Sequence, residues 1–511
     1  MSRNELVKWQ GQKYEVDVDT TQAGEVFKMQ LFSLTSVPPE RQKILVKGGQ
    51  LKDDTDMSKL NLKEGQVLMM MGTVGELPKA PTTQIKFVED MTESEMAQAL
   101  AIPAGLANLG NTCYMNASLQ CLKAIPELKQ ALDRYQTSAG LAQEQGAPKK
   151  QLVSTLRSLF TQLSEAGEGV PPVTFWYLLK QVFPKFGEQD QRHGGFRQQD
   201  AEEFWNELLT LLDQVMRGSG DEESFVEKYM SGTMVTTWKT DEAPEEAAVV
   251  HQEKMRKIGC LIDKSVNYLS QGIHKGLEQT IEKHSEALGR NAEYKAVSRI
   301  ARLPAYLTVT YNRFFWKASE SVDAKIVKSV KFPLEFDASE FCTPELQEKI
   351  RPAKQYLREL EDRRDLERKQ AKRARLDAAE TKAEETASSG GDVAMKGGEE
   401  AEAASAPFEL SAELKADVGC NPSGIYELVG VVTHVGRTAN SGHYIAWVRK
   451  EKGVGGPEPP AKKGSPETQH WWYKFDDDNV SMVTDEEITK LCGGGDWHTA
   501  YITLYRAKKL E

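Results

Sequence analysis

Cysteine is scarce: six in 511 residues, none in a C-x-x-C pair. That excludes a disulfide scaffold and a zinc ribbon, and makes a reducing compartment, cytoplasm or nucleus, the expected setting. Long apolar runs are missing too. The longest, around Val67–Met71, falls far short of the about 20 residues a membrane helix needs, so no membrane partner is expected. Met1–Trp9 has no apolar stretch to serve as a secretory signal. No H-E-x-x-H occurs, which removes the zinc metalloproteases. Positive charge is in deficit, with 65 Lys and Arg against 76 Asp and Glu and a net charge of −11, so nucleic acid is not an expected partner. Repeats are absent. What remains is 39% hydrophobic and 28% charged, enough to bury a core. The length suits two to four domains, or one small and one large.

The first 75 residues read as a module. Val7-Lys8-Trp9, Gly11 and Tyr14–Val18 alternate apolar and polar around a turn, a hairpin signal. Thr20 and Thr21 are candidate caps for a helix on which Val26, Met29, Leu31 and Phe32 lie near helical spacing. Short strands follow at Ile44–Val46 and Val67–Met71. Ten basic and ten acidic residues leave the module near neutral. This order resembles the ubiquitin-like domain, a β-grasp fold, most specifically over Gln42–Leu51. The chain runs past Gly72 as Thr-Val-Gly-Glu without a terminal Gly-Gly, so the module is built in. A docking role is expected, with a folding or solubility appendage as the alternative.

Residues 76–103 contain Pro78, Pro81 and Pro103 among polar residues, a linker composition with a short helix expected at Glu93–Leu100. A long mixed region, 104–507, is broken at 346–407. There, 358–376 carries eight basic and five acidic residues at helical spacing, whereas 377–402 carries two and eight among Ala, Gly and Ser. A solvated helix followed by disorder is expected. The run Arg368–Arg375 reads as helix surface before it reads as a nuclear address. A second polar loop spans Gly453–Gln469.

The segment Gly105–Leu122 carries the strongest chemistry. Met115, Leu119 and Leu122 recur at i, i+4 and i+7, so a helix begins near Cys113, after the turn and cap residues Gly110, Asn111 and Thr112. A cysteine there meets the positive end of the helix dipole, which favours a thiolate, and free N–H groups that can hold an oxyanion. A lone cysteine is more often an inert core residue. Asn116-Ala-Ser118 fits the glycosylation pattern, but within such a helix the match carries no meaning. Two strand-like runs, Tyr426–Gly436 and Gly442–Val448, flank a polar loop, with His443 where the second begins. Trp471–Val480 is a further strand with Asp476, Asp477 and Asp478. A His and an Asp on neighbouring strands can pair and fix the imidazole tautomer.

Together these segments resemble the ubiquitin-specific protease family of cysteine deubiquitinases. Phe196–Phe204 is similar to that family's glutamine–aspartate box, and Ala500–Tyr505 to its final strand. With the N-terminal module, and with Thr343–Lys349, the chain is similar to the family's proteasome-associated members. The resemblance implies an α+β architecture: a β-grasp ubiquitin-like domain joined to a papain-like fingers, palm and thumb domain. It implies Cys113 as nucleophile, His443 as general base and acid, Asp476 as the residue orienting it, and Asn108 as oxyanion donor. Asp477 and Asp478 stay open as orienters. Gln199, Asp200, Glu203, Phe332 and Tyr444 match positions binding ubiquitin's C-terminal tail, although Asp200 is equally suited to cap a helix and Phe332 to fill a core. Many relatives carry a zinc ribbon in the fingers; here Cys260, Cys342, Cys420 and Cys492 are isolated, so neither metal nor cofactor is expected. In related proteases loops around the tail groove block it until a partner moves them, and the small and polar residues of Arg437–Ser441 permit such gating here.

The expected function is thiol-dependent hydrolysis of isopeptide bonds at ubiquitin's terminal glycine. It would trim chains and recycle ubiquitin, by an enzyme monomeric when free and stimulated on docking to the 26S proteasome regulatory particle through residues 1–75. A docking scaffold without activity and a thiol protease of general peptides are the alternatives. The intact Cys113, His443 and Asp476 weigh against the first, and the Asp200–Glu203 box against the second.

Overall fold

A computed structural model of the chain describes residues 2–72, 102–135, 147–190, 194–217, 223–317, 322–385, 408–438, 441–451 and 470–510, apart from positions 20, 21, 36, 48, 61, 64, 65, 167 and 496. It divides into two compact units, Met1–Met91 and Thr92–Glu511. The caps expected at Thr20 and Thr21, the helix at Glu93–Leu100, the part of the expected disorder beyond 385 and the loop Gly453–Gln469 lie outside the described residues.

The first unit is a β-grasp. Strands β1 (Ser2–Trp9) and β2 (Gln12–Asp19) form the expected hairpin, closed by Gln10 and Gly11 at φ of 43° and 86°. Helix α1 (Gly24–Thr35) crosses the sheet completed by β3 (Lys43–Val46), β4 (Gly49–Gln50) and β5 (Val67–Met71), in the order β2-β1-β5-β3-β4 with β1 and β5 parallel. Val7, Val18, Ile44, Leu68 and Met70 alternate inward, as period-two strands require. The helix turns another face inward than its apolar spacing suggested. Phe27 and Leu31 are buried one turn apart, while Val26, Met29 and Phe32 are exposed. Lys28 completes the inner face, its stem buried and its amine 2.7 Å from Asp53.

The second unit begins with helices α2 (Cys113–Lys123), α3 (Pro126–Arg134), α4 (Ala147–Glu165), α5 (Val173–Val182), α6 (Ala201–Val215) and α7 (Phe225–Met230). Then follow β6 (Gly232–Lys239), β7 (Val249–Met255), β8 (Ile258–Leu261), α8 (Leu269–Leu277), β9 (Glu278–Ser285), β10 (Arg290–Arg302), β11 (Tyr306–Asn312), β12 (Phe314–Lys317), β13 (Val322–Lys325) and β14 (Glu335–Asp337). The long helix α9 (Pro344–Glu385) and the short α10 (Ala412–Ala416) precede β15 (Ile425–Thr438), β16 (Ser441–Arg449), β17 (Trp471–Asp476), β18 (Asn479–Thr484), α11 (Asp485–Lys490) and β19 (Thr499–Ala507). Helix α9 continues nine residues beyond the expected end at 376, through the good helix formers Ala, Glu and Lys.

The central sheet runs β18-β17-β16-β15-β19-β11-β8, with β14 against β15; a separate sheet, β7-β6-β10-β9, forms the fingers. Both faces of the central sheet are buried. Tyr444, Ala446 and Val448 of β16 face the core shared with α2–α7, whereas Ile445 and Trp447 face a second core with α8, the start of α9 and α11. Burial on both faces explains the nearly continuous apolar runs of β15 and β19. Helix α2 packs against β15, β16 and β17, which brings three distant sequence segments to one place.

Candidate active site

Cys113 is the first residue of α2 and is 2% exposed. The loop before it is held by its own side chains. Gly110 and Asn111 take left-handed conformations, φ 97° and 57°, which glycine and asparagine tolerate best. Asn108 Oδ1 accepts from the Gly110 and Thr112 N–H groups at 3.0 and 3.2 Å. The Thr112 hydroxyl accepts from Leu109 N–H at 2.9 Å; it fastens this loop and caps nothing in α2.

His443 is the third residue of β16 and lies opposite Val435 of β15. Gly442, at φ 136°, precedes it; a Cβ there would come within 2.1 Å of the Val435 carbonyl and 2.6 Å of His434 Nε2, so only glycine fits. His443 Nε2 lies 2.6 Å from Asp476 Oδ1 and 4.0 Å from Asp477 Oδ2. With Nε2 taken by Asp476, Nδ1 is the nitrogen left for a second partner. The Cys113 sulfur is the largest influence on His443, and with Asp476 it holds the imidazole's pKa up at about 9 against burial. Sulfur, imidazole and carboxylate thus form one chain of interactions, assembled from α2, β16 and the end of β17.

Asp477 occupies the two-residue turn between β17 and β18 at φ 53°. Its carboxylate accepts from Asn108 Nδ2 and from Asn116 Nδ2, each at 2.8 Å, and its carbonyl accepts from Leu106 N–H at 2.9 Å. Asp478 is exposed in the same turn. Among the described residues, the group of His, Cys and acidic ligands close enough to hold a metal is His443, Asp476 and Asp477, with ligand atoms within 4.8 Å. In this structure these atoms face one another as a hydrogen-bonded pair and its neighbour. All six cysteines are buried free thiols. No helix of the described residues is long and apolar enough to cross a membrane.

Three expected tail-binding residues lie at the start of α6. Asp200 is its N-cap: Oδ1 accepts from Glu202 and Glu203 N–H at 2.7 and 3.1 Å, and Oδ2 from the Tyr501 hydroxyl at 2.6 Å. Burial pushes its carboxyl up to about 6, opposed by the Tyr501 hydrogen bond. Gln199 is buried and donates to the Lys185 carbonyl at 3.1 Å, while Glu203 forms an ion pair with the Lys185 amine. Tyr444 is 1% exposed beside Tyr501, ring centroids 6.1 Å apart, with its hydroxyl buried and unpartnered. Phe332 is not with them. It is buried in the core on the opposite face of the sheet and lines a groove of about 420 Å³ with Tyr268, Lys331, Pro333 and Phe336.

Sequence reasoning missed Tyr501, Asn116 and Asp477's part in holding the loop. Tyr501 stood in a strand taken only as structural, and Asn116 only as a meaningless glycosylation match. The one available signal was a polar residue inside the apolar period of α2.

Comparison with known proteins decides the family. Residues 104–505 match the family described as ubiquitin carboxyl-terminal hydrolase, and residues 6–75 match the ubiquitin family. The chain belongs to the ubiquitin carboxyl-terminal hydrolase family. It is 40% identical to ubiquitin carboxyl-terminal hydrolase 6 of Schizosaccharomyces pombe over 506 residues, covering 99% of this chain and 98% of that one. It is 40% identical to ubiquitin carboxyl-terminal hydrolase 7 of Arabidopsis thaliana, covering 99% of each. Ubiquitin carboxyl-terminal hydrolase 14 of Caenorhabditis elegans is 34% identical, with 99% and 93% covered. The solved SAGA Ubp8/Sgf11/Sus1/Sgf73 DUB module bound to ubiquitin aldehyde shares the fold, with a TM-score of 0.51 at 17% identity over 81% of this chain and 71% of that one. The protein is therefore a cysteine-type deubiquitinase with a built-in ubiquitin-like domain, and ubiquitin is the substrate of this hydrolase family.

Proposed function

We propose that Cys113 attacks the carbonyl of ubiquitin's terminal glycine and that His443, oriented by Asp476, relays the protons. The observation that carries this is the placement of Cys113 at the start of α2 together with the 2.6 Å His443–Asp476 pair. A thiolate there is stabilised by the helix dipole and by an imidazolium beside it. As the tetrahedral intermediate forms, its oxyanion is held by the Cys113 backbone N–H and by Asn108 Nδ2. His443 protonates the leaving lysine amine, a thioester remains on Cys113, and His443 then takes a proton from the water that hydrolyses it. Gln199, Asp200, Glu203 and Tyr444 hold the basic, glycine-ended tail; Phe332, in the core on the other face of the sheet, is left out of that set.

The finer reading is a proteasome-associated enzyme of cytoplasm and nucleus, monomeric when free, that trims chains and recycles ubiquitin. Residues 1–75 dock it on the regulatory particle. Supporting this, β3 and β5 expose Leu45, Val67, Met69 and Met71 on one sheet face, with Leu45 directly across from Met69. Docking raises activity by moving the loop Arg437–Ser441 that leads into His443. The test is reaction of the full chain with ubiquitin bearing a C-terminal electrophile. A covalent adduct mapped to Cys113 is expected; no adduct, with proteasome present or absent, leaves a docking scaffold as the reading.

A further inference from the structure

Asn108 has one side-chain amide and, as an oxyanion donor, must aim one N–H at a position fixed to a fraction of an ångström. A free asparagine amide rotates and flips. Here it cannot. Its oxygen is engaged by two backbone N–H groups, Gly110 and Thr112, and one of its two amide protons is engaged by Asp477 Oδ2 at 2.8 Å. The plane of the amide is thereby set, and the direction of the second proton with it.

Asp477 is itself fixed. Its other oxygen accepts from Asn116 Nδ2, three residues along the helix from Cys113, and Asn116 donates as well to the Leu106 carbonyl at 3.1 Å. Leu106 N–H returns to the Asp477 carbonyl. Gly105 and Gly169 let the turn approach: a Cβ at Gly105 would come within 2.4 Å of the Asp477 carbonyl, and one at Gly169 within 2.7 Å of Asp478 Cβ. The carboxylate also lies 4.0 Å from His443 Nε2, so one half-buried charge faces both the amide and the imidazole.

We infer that Asp477, clamped by Asn116, is a positioning residue that aims the Asn108 amide at the oxyanion, a role separate from Asp476's hold on His443. This rests on Asn108 being the oxyanion donor. The carboxylate acts through geometry, by fixing the amide plane, while the two backbone N–H groups on the amide oxygen polarise the amide toward donation.

The test uses the full chain and three readouts: kcat and KM on a fluorogenic ubiquitin C-terminal amide, affinity for ubiquitin aldehyde, whose hemithioacetal presents the oxyanion, and Tm. Asn108→Ala is the reference, with kcat lowered about 10²-fold for a lost oxyanion donor. Asp477→Ala and Asn116→Ala are expected to lower kcat and aldehyde affinity by about 10-fold or more with KM nearly constant, since the donor stays but loses its aim. Asp477→Asn, which keeps an oxygen acceptor for Asn108, is expected to recover much of the loss while moving the basic limb of the pH profile down. If Asn108→Ala leaves kcat unchanged, the oxyanion assignment itself fails. If Asn108→Ala is impaired but Asp477→Ala and Asn116→Ala lower only Tm, the clamp is structural and the inference is overturned. Should Asp477→Ala not fold, Asn116→Ala decides by the same criteria.

Discussion

The Tyr501 hydroxyl donates to Asp200 Oδ2 at 2.6 Å, across 301 residues of sequence, while Asp200 Oδ1 caps helix α6. One carboxylate thus fastens the helical lobe to the final strand of the sheet, beside Tyr444. The cap and the charge can be tested apart. Asparagine caps as well as aspartate, so Asp200→Asn is expected to keep Tm near wild type at pH 7, whereas Asp200→Ala loses about 1 kcal/mol with the cap. Both are expected to raise KM for ubiquitin substrates if the carboxylate reads the basic tail. Unchanged KM in Asp200→Asn removes Asp200 from tail recognition and leaves it a cap.

Asp200 also has a signature in pH. Its folded pKa is raised, to about 6, so the folded state holds a proton that the unfolded chain releases nearer pH 4. Stability from this group therefore declines as pH rises from about 4 through 6. Thermal melts across that range should show the decline in wild type and lose that component in Asp200→Asn.

His443 has the same sign at higher pH. Its pKa is held up at about 9, chiefly by the Cys113 sulfur and then by Asp476. Its contribution to stability is whole below the unfolded value near 6.5 and is lost as pH rises through about 9. The same proton is the one given to the leaving amine, so kcat/KM is expected to fall on the alkaline side near that value. Asp476→Asn should move this limb to lower pH and cut kcat by about 10²-fold or more. A limb that stays in place under Asp476→Asn would assign it to another group.

The exposed face of the ubiquitin-like sheet gives a prediction independent of chemistry. Met69 is 54% exposed, and its substitution by glutamate leaves the inward-facing Leu68 and Met70 untouched. Met69→Glu is expected to weaken proteasome binding by about 10-fold or more, the size of an interface hot spot. Hydrolysis of the ubiquitin amide by the free chain should not change. Equal binding by the variant would move the docking surface elsewhere.

Much of this molecule was legible in its sequence because the signals were local. The helix begins at Cys113, as the turn residues Gly110–Thr112 and the spacing of Met115, Leu119 and Leu122 indicate. The strands bearing His443 and Asp476 follow from their β-branched and aromatic runs. What was hidden involves partners far apart. Nothing in the sequence near Asn116 announces Asp477, 361 positions on, and Tyr501 gives no hint of Asp200. Faces were misjudged where apolar residues exceed the core's need: α1 buries Phe27 and Leu31 and leaves Val26, Met29 and Phe32 to solvent. Phe332 sat in an apolar segment that suits core and groove alike; its burial with Tyr311 follows from packing alone.

The most direct test of the account is hydrolysis of a fluorogenic ubiquitin C-terminal amide by the wild-type chain and by Cys113→Ala, each with and without proteasomes whose own thiol protease activity has been blocked. The account predicts wild-type activity that rises sharply with proteasome and is abolished by Cys113→Ala, which still binds ubiquitin. Full turnover by Cys113→Ala, or no Cys113-dependent hydrolysis in either condition, would contradict it.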